Sequence, residues 1–338
     1  MLLWGVYKVE DLYLGWIEQL DRGLSNWGKV GVRGDYRSIV VSGMGGSGIV
    51  GDYVAVLSSV SPRGLPVIVS KSHLVPEFIG SRDLVFVISY SGNTLETRMA
   101  CMRARERGAR LVIVSSDGYL EKFAVENNIP FIGVVKGIAP RTALPEMLYG
   151  VLGVLDSSGI GIVSREEAAG ARDFLKDVLK EAVGEAYSIA EFIAEHDGLL
   201  ILASHTPYES LVLRGKNEFN ENSKIPVKVE VAPEWMHNDI VGWERPFPGN
   251  KYSVVAIVDP GDKPGSKLVD FMTGIYEKNN IPVYRFLLKG KSVLEKLLYG
   301  SLVLGLASVK LARIRGLDPL ETTSIADYKS RVRDIFGA

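Results

Sequence analysis

Residues 38–48 read Ser38-Ile39-Val40-Val41-Ser42-Gly43-Met44-Gly45-Gly46-Ser47-Gly48, and the helical pattern Ile49 to Ser58 follows. A short apolar run rich in β-branched residues, without polar alternation, predicts a strand buried on both faces, the mark of a parallel sheet. The glycines let the backbone approach a ligand closely. The helix behind them offers free N–H groups and positive potential, so the strand–loop–helix unit is suited to an anion.

Working outward, Leu65 to Val69, Leu84 to Ser89 and Arg110 to Val114 predict further strands, with Thr94 to Gly108 the clearest helix between them. Strands alternating with helices imply a doubly wound parallel sheet. Val9 to Trp27 has helical periodicity and is expected to cover a sheet edge. The polar, small stretch Asp156-Ser157-Ser158-Gly159 marks a linker, which divides the chain into domains 1–156 and 157–338. Beyond it, the helical stretch Arg165 to Ala194 leads into strands at Leu199–Ala203, Val227–Val231, Tyr252–Val258 and Val283–Phe286. Met147-Leu148-Tyr149-Gly150 recurs in type as Leu297-Leu298-Tyr299-Gly300, each after the last strand region of its half, which hints at two related halves. The expected fold class is α/β, two doubly wound parallel-sheet domains.

The bulk properties narrow the function. At 338 residues the chain is too long for one typical core. With 39 basic and 40 acidic residues, it lacks the charge excess of a nucleic-acid or polybasic membrane binder. Cys101 is the single cysteine, which excludes an intramolecular disulfide or thiolate cluster and suits a reducing, cytoplasmic setting. Met1 to Tyr7 is apolar but soon broken by Lys8, Glu10 and Asp11, so no signal peptide is expected. Leu297 to Val309 is too short to span a bilayer and predicts a buried helix.

Gly43, Gly45 and Gly48 satisfy the dinucleotide pattern G-x-G-x-x-G. That reading asks for an acidic residue at the end of the second strand, where Val69-Ser70-Lys71-Ser72 stands instead. An NADP-dependent dehydrogenase using Lys71 stays open as an alternative. The third strand ends Ser89-Tyr90-Ser91-Gly92-Asn93-Thr94 and enters a helix. Helix capping by Thr94 or Ser91 needs one hydroxyl; three point to phosphate oxygens. Two such loops at the carboxyl ends of neighbouring strands place a small anionic site at the edge of the sheet.

With these loops the sequence resembles the sugar isomerase (SIS) domain family, whose phosphate-binding signature is S-x-S-G-x-T with Gly-Gly-Ser as its partner. More specifically, the whole chain resembles the archaeal-type bifunctional phosphoglucose/phosphomannose isomerases. That match is carried by Pro140-Arg141-Thr142-Ala143-Leu144-Pro145, by Asn220-Glu221-Asn222-Ser223-Lys224 with Pro233-Glu234-Trp235-Met236-His237-Asn238, and by Thr322 with Lys329. Ser223 stands where the family often has Ala, and Leu95 where Glu is common.

The resemblance implies two SIS-type domains and an isomerase of glucose 6-phosphate and mannose 6-phosphate with fructose 6-phosphate, acting through a cis-enediol. It implies Gly46, Ser47, Ser89, Ser91 and Thr94 on the substrate phosphate, and Glu221 as the base at C2. By itself Glu221 reads as a solvated helix-end residue, and Glu218, on the same helical face, is the rival base. His237 and Lys329 are implied in ring opening, and Arg141 in stabilising the enediolate. Arg141 could otherwise pair with Glu146, and Lys329 could be a plain exposed lysine. Thr322 is implied to leave space near C1 and C2. The route needs no metal or organic cofactor, and four histidines without close pairing argue against zinc. The family implies a homodimer with its site near the subunit interface. Because SIS domains also serve as regulatory modules, a non-catalytic sugar-phosphate sensor is the other alternative; no helix-turn-helix or basic segment favours a transcriptional regulator.

Overall fold

The computed structural model describes residues 9–246, 249 and 251–337, so the apolar opening stretch Met1 to Tyr7 lies outside the described residues. The chain forms two compact units, Met1–Asp173 with Thr322–Ala338, and Phe174–Glu321.

The first unit begins with α1 (Val9–Leu14) and α2 (Trp16–Asn26), the predicted single helix interrupted at Gly15. Its sheet follows: β1 (Ser38–Gly43), α3 (Gly45–Ser59), β2 (Val67–Ser70), β3 (Asp83–Ile88), α4 (Leu95–Glu106), β4 (Arg110–Ser115), α5 (Gly118–Glu126), β5 (Phe131–Gly133) and α6 (Leu144–Ser157). All strands are parallel, in the order β2-β1-β3-β4-β5. β1 and β3 are buried along their whole length, as their unbroken apolar runs require. β5 went unforeseen because three residues are too few to show a period. The order reverses between β1 and β3, which creates a topological switch point at their carboxyl ends.

α2 does not cover a sheet edge as expected; it packs on α6. A Cβ on Gly23 would lie 2.6 Å from the Tyr149 Cβ, so glycine lets the two helices meet. Trp16 Nε1 and Gln19 Nε2 both donate to the Thr142 carbonyl, at 3.0 and 2.9 Å.

The stretch expected as a linker lies inside this unit. α6 runs through Asp156, Ser158 Oγ accepts from Val32 N at 2.9 Å, and Tyr149 OH donates to Ala168 O at 2.7 Å. The units divide further on, within α7 (Arg165–Asp177), whose Arg172 pairs with Asp21. The predicted helical stretch breaks at Val178, before α8 (Leu179–Glu195).

The second unit continues with β6 (Leu199–His205), α9 (Glu209–Glu218), β7 (Val227–Ala232), β8 (Tyr252–Val258), α10 (Lys263–Lys278), β9 (Val283–Leu287) and α11 (Val293–Ile314). Its parallel order β7-β6-β8-β9 repeats β2-β1-β3-β4. α11 is long and apolar enough to cross a membrane by length and composition, but most of it is buried inside the unit as a core helix. It opens with a reciprocal cap between Ser292 and Glu295. The recurring tetrapeptide falls on α6 and α11, where Tyr149 and Tyr299 are both fully buried. The last helix, α12 (Thr323–Phe336), belongs to the first unit: Tyr328 OH donates to Glu96 Oε1 at 2.5 Å, and the His73 and Phe336 rings lie 4.9 Å apart.

At the amino end of the first sheet, the buried Asp83 carboxylate accepts from Arg37 Nε at 3.0 Å, Ser38 Oγ at 2.7 Å and Gly80 N at 2.8 Å. Burial alone would raise its pKa, but these donors outweigh burial and hold it below the usual carboxylate value. A depressed carboxylate stabilises the fold above its unfolded pKa of about 3.9, and that contribution is lost as pH falls through the folded value. Asp83→Asn should therefore cost about 1–3 kcal/mol at neutral pH. The gap to the parent should close as denaturant melts are taken down below about pH 4; a gap constant down to pH 3 would contradict this origin.

Candidate active site

In the first unit, the loops after β1 and β3 lie side by side because the strands pair in register, Gly43 opposite Ile88. α3 starts at Gly45, whose φ of +52° favours glycine, and α4 starts after Thr94. Neither helix start is closed by a side-chain cap. Thr94 and Ser91 therefore do not cap α4, and the first N–H groups of both helices are left without a side-chain acceptor. Ser89 Oγ donates to Thr94 Oγ1 at 3.0 Å, and Ser47 Oγ accepts from Tyr90 N at 3.1 Å, which ties the two loops together. Ser91 Oγ accepts from Asn93 N at 3.3 Å.

The hydroxyl loop is fixed from behind. Tyr90 O accepts from Ser116 N and Oγ, at 2.9 and 2.7 Å, and the Tyr90 phenol oxygen accepts from Ile138 N at 3.0 Å. Gly92 has φ +65°, and a Cβ there would fall 1.7 Å from Asp117 O, so no larger residue fits.

Arg141 joins these loops. It sits in the 3-10 turn Pro140–Ala143 and is buried. A Cβ on Gly46 would lie 3.0 Å from the Arg141 Cα and 3.1 Å from Pro140 O, so the glycine loop and the arginine turn are in backbone contact. Glu146, the alternative partner for Arg141, receives Arg22 at 3.3 Å and Val135 N at 3.1 Å. Gly46, Ser47, Ser89, Ser91, Thr94 and Arg141 thus gather at one switch point. Thr322 precedes α12 and Lys329 lies exposed on it, next to Tyr328, which holds α4 through Glu96. Lys71 is paired with Asp52, which leaves the dinucleotide reading without its proposed phosphate cation.

The second unit separates the two candidate bases. Glu218 is buried, paired with Arg214, and accepts from Asn222 Nδ2 at 3.0 Å; that amide also reaches Ser308 Oγ at 2.9 Å. Glu221 is half-buried on the π-helical turn Phe219–Ser223 that extends α9. The turn ends at Lys224 in the left-handed region, and Lys224 Nζ donates to the Glu221 and Asp318 carbonyls, both at 2.8 Å. Ser223 puts its hydroxyl to use, donating to Ser308 O at 2.6 Å.

His237 is exposed in the 3-10 turn Glu234–His237 beyond β7. Sequence reasoning missed the residue that steadies this segment. The buried Glu230 carboxylate accepts from Trp235 Nε1 at 2.7 Å, from Trp243 Nε1 at 3.1 Å and from Tyr276 OH, and pairs with Lys228. Two tryptophans bracketing a histidine were the available signal. The other histidines are packed: His73 against Phe336, His196 against Phe192, and His205 fully buried. Among the described residues, no three His, Cys, Asp or Glu side chains converge as metal ligands do.

Two units of this topology, the first with glycine and hydroxyl loops at its switch point, are SIS domains. Residues 35–124 match the SIS domain model, and residues 182–332 match the bacterial phospho-glucose isomerase C-terminal SIS domain. The bifunctional phosphoglucose/phosphomannose isomerase of Aquifex aeolicus is 33% identical over 300 residues, 88% of this chain and 91% of that one. The enzyme of the same name from Aeropyrum pernix is 32% identical over 96% of this chain and 98% of its own. The chain belongs to the bifunctional phosphoglucose/phosphomannose isomerase family. The fold alone is shared with glucosamine-6-phosphate deaminase of Thermotoga maritima, at a TM-score of 0.69 and 13% identity over 92% of this chain and 94% of that one.

The contact between Gly46 and the Arg141 turn can be tested directly. Gly46→Ala pushes a methyl against backbone that has little room to yield, which displaces the arginine turn by a few tenths of an ångström. The expected result is a KM raised about three- to tenfold with an unchanged far-UV spectrum. An unaltered KM would show that the two segments do not share a ligand.

Proposed function

We propose that the chain interconverts glucose 6-phosphate and mannose 6-phosphate with fructose 6-phosphate through a cis-enediol, without a metal. The observation that carries this reading is the meeting of the Gly46–Ser47 loop, the Ser89–Thr94 loop and the Arg141 turn at one switch point. Hydroxyls and backbone N–H groups there suit a phosphate dianion, and a buried guanidinium beside them suits charge that develops on the sugar oxygens. Family membership supplies the reaction class.

Glu221 removes the C2 proton and returns it at C1. Its partial exposure favours it over Glu218, whose carboxylate is committed to Arg214 and Asn222. His237 and Lys329 move protons between the C1 hydroxyl and the ring oxygen during opening, and Arg141 stabilises the enediolate. Glu221 precedes β7 and His237 follows it. Six strand residues at about 3.3 Å each span roughly 20 Å, too far for both to reach one hexose. We therefore infer a homodimer in which His237 reaches the site from a second copy. A soluble sugar phosphate and a single buried thiol fit the cytoplasm.

Glu221→Gln keeps the shape and loses the base. Turnover of fructose 6-phosphate should fall by roughly 10²–10⁴-fold while phosphate-ligand binding survives. Near-normal turnover would remove Glu221 from the role. The sensor alternative predicts no turnover by the parent at all.

Ser89→Ala with Thr94→Ala removes two donors from the phosphate loop. KM should rise strongly for both sugars and kcat should fall with it, because phosphate binding energy positions the reacting carbons. Equal KM values in parent and variant would place the phosphate elsewhere.

Thr322 leaves room for rotation about C2–C3, which lets one base serve both epimers. Thr322→Gln should lower kcat/KM for mannose 6-phosphate more than for glucose 6-phosphate, in assays run after exhaustive chelation. Equal losses would remove Thr322 as the cause. A parent active on one epimer only would refute dual specificity, and activity restored only by zinc would refute the metal-free route.

A further inference from the structure

The second unit repeats the strand order of the first, so its own switch point lies between the carboxyl ends of β6 and β8. Asp259 is the first residue after β8, the place that Ser89 holds after β3. Each switch point is also cross-linked, though through different positions: in the first unit Ser47 Oγ, on α3, accepts from Tyr90 N, and in the second His205 Nε2, at the end of β6, accepts from Asp259 N at 3.3 Å.

The difference lies in charge. Asp259 is 4% exposed. Its Oδ2 accepts from Tyr208 OH at 2.6 Å and Lys296 Nζ at 2.8 Å, and its Oδ1 accepts from Gly261 N at 2.8 Å. A hydroxyl, an ammonium and a backbone N–H around one anionic group form the donor set that phosphate oxygens require. Lys296 stands just before the recurring Leu297-Leu298-Tyr299-Gly300, where the first unit has Glu146 before Met147. Burial would raise the Asp259 pKa, but Lys296, Tyr208 and Gly261 outweigh it and keep the carboxyl below its ordinary value, hence ionised. Burial first, and Asp259 second, push the Tyr208 phenol well above its ordinary pKa, so it stays a donor.

We propose that the switch-point crevice of the second unit is an anion site filled by the chain's own Asp259 carboxylate, so that each chain binds sugar phosphate in its first unit only, and that removing this carboxylate opens a site for a small oxyanion. The one-site count rests on the proposed reading of the first unit; the filled second site rests on its own contacts.

The test uses inorganic phosphate and calorimetry on the full chain, comparing Asp259→Ala with the parent. The same comparison is repeated in the Ser89→Ala, Thr94→Ala background. In both settings Asp259→Ala should add one phosphate per chain, and adding Lys296→Met should weaken that new site by roughly tenfold or more. No added phosphate overturns the proposal. So does added binding that ignores Lys296→Met, because the phosphate then lies elsewhere. Phosphate binding that survives Ser89→Ala with Thr94→Ala while Asp259 is intact counts against the first-unit reading instead, and the difference caused by Asp259→Ala still decides the second. If Asp259→Ala does not fold unaided, it is refolded with and without phosphate: recovery only with phosphate supports the filled site, and recovery in neither overturns it.

Discussion

The parallel pairing of β1 with β3 is the constraint on which the first unit's site depends. The chain leaves β1 through the glycine loop and α3, returns as β2 on one side, and then reaches β3 on the other. Only at such a reversal do two helix amino ends point at one crevice without another strand between them. Because both strands are buried throughout, their register has no freedom to slip, and the loops they carry inherit that precision. Gly46 and Gly92 are the two places where this closeness becomes a steric requirement: one admits the Arg141 turn, the other the Asp117 carbonyl.

Buried carboxylates steady the parts of the protein that lack regular structure. Glu230 gathers two indoles, a phenol and a lysine beneath the short turns around His237. Glu218 holds the end of α9 through Arg214 and Asn222, where the helix loosens into the π turn of Glu221. An unpaired carboxylate in such surroundings would be costly, so each is surrounded by donors. These acids commit their oxygens to the fold, and half-buried Glu221 and exposed His237 lie on the turns beside them. The two halves use the same plan to opposite ends: neutral hydroxyls follow β3 in the first, and an ionised carboxylate follows β8 in the second.

Most strands were legible because a strand buried on both faces writes itself as an unbroken β-branched run: Tyr252–Val258 was read to the residue, and Ser38–Ser42 and Val283–Phe286 each to within one. β5 was too short to be seen, and a single glycine or valine was too slight a sign of the helix breaks at Gly15 and Val178. The domain boundary misled for a different reason. Asp156-Ser157-Ser158-Gly159 has the composition of a linker but makes a helix end and a turn, held by Val32 N on Ser158.

The sequence by itself determined the two parallel α/β halves, the glycine and hydroxyl loops and the family, because these depend on local periodicity and on residue types with few alternatives. It named Glu221 ahead of Glu218 only through the family resemblance; the burial of Glu218 and its Arg214 and Asn222 partners exist only once α9 packs against α11. Nor could it show that Arg141 backs onto Gly46, that Glu230 anchors the His237 segment, or that Asp259 gathers Tyr208 and Lys296 around its carboxylate. Each of those facts is a contact between residues far apart in the chain, fixed by strand order and close packing rather than by any local pattern.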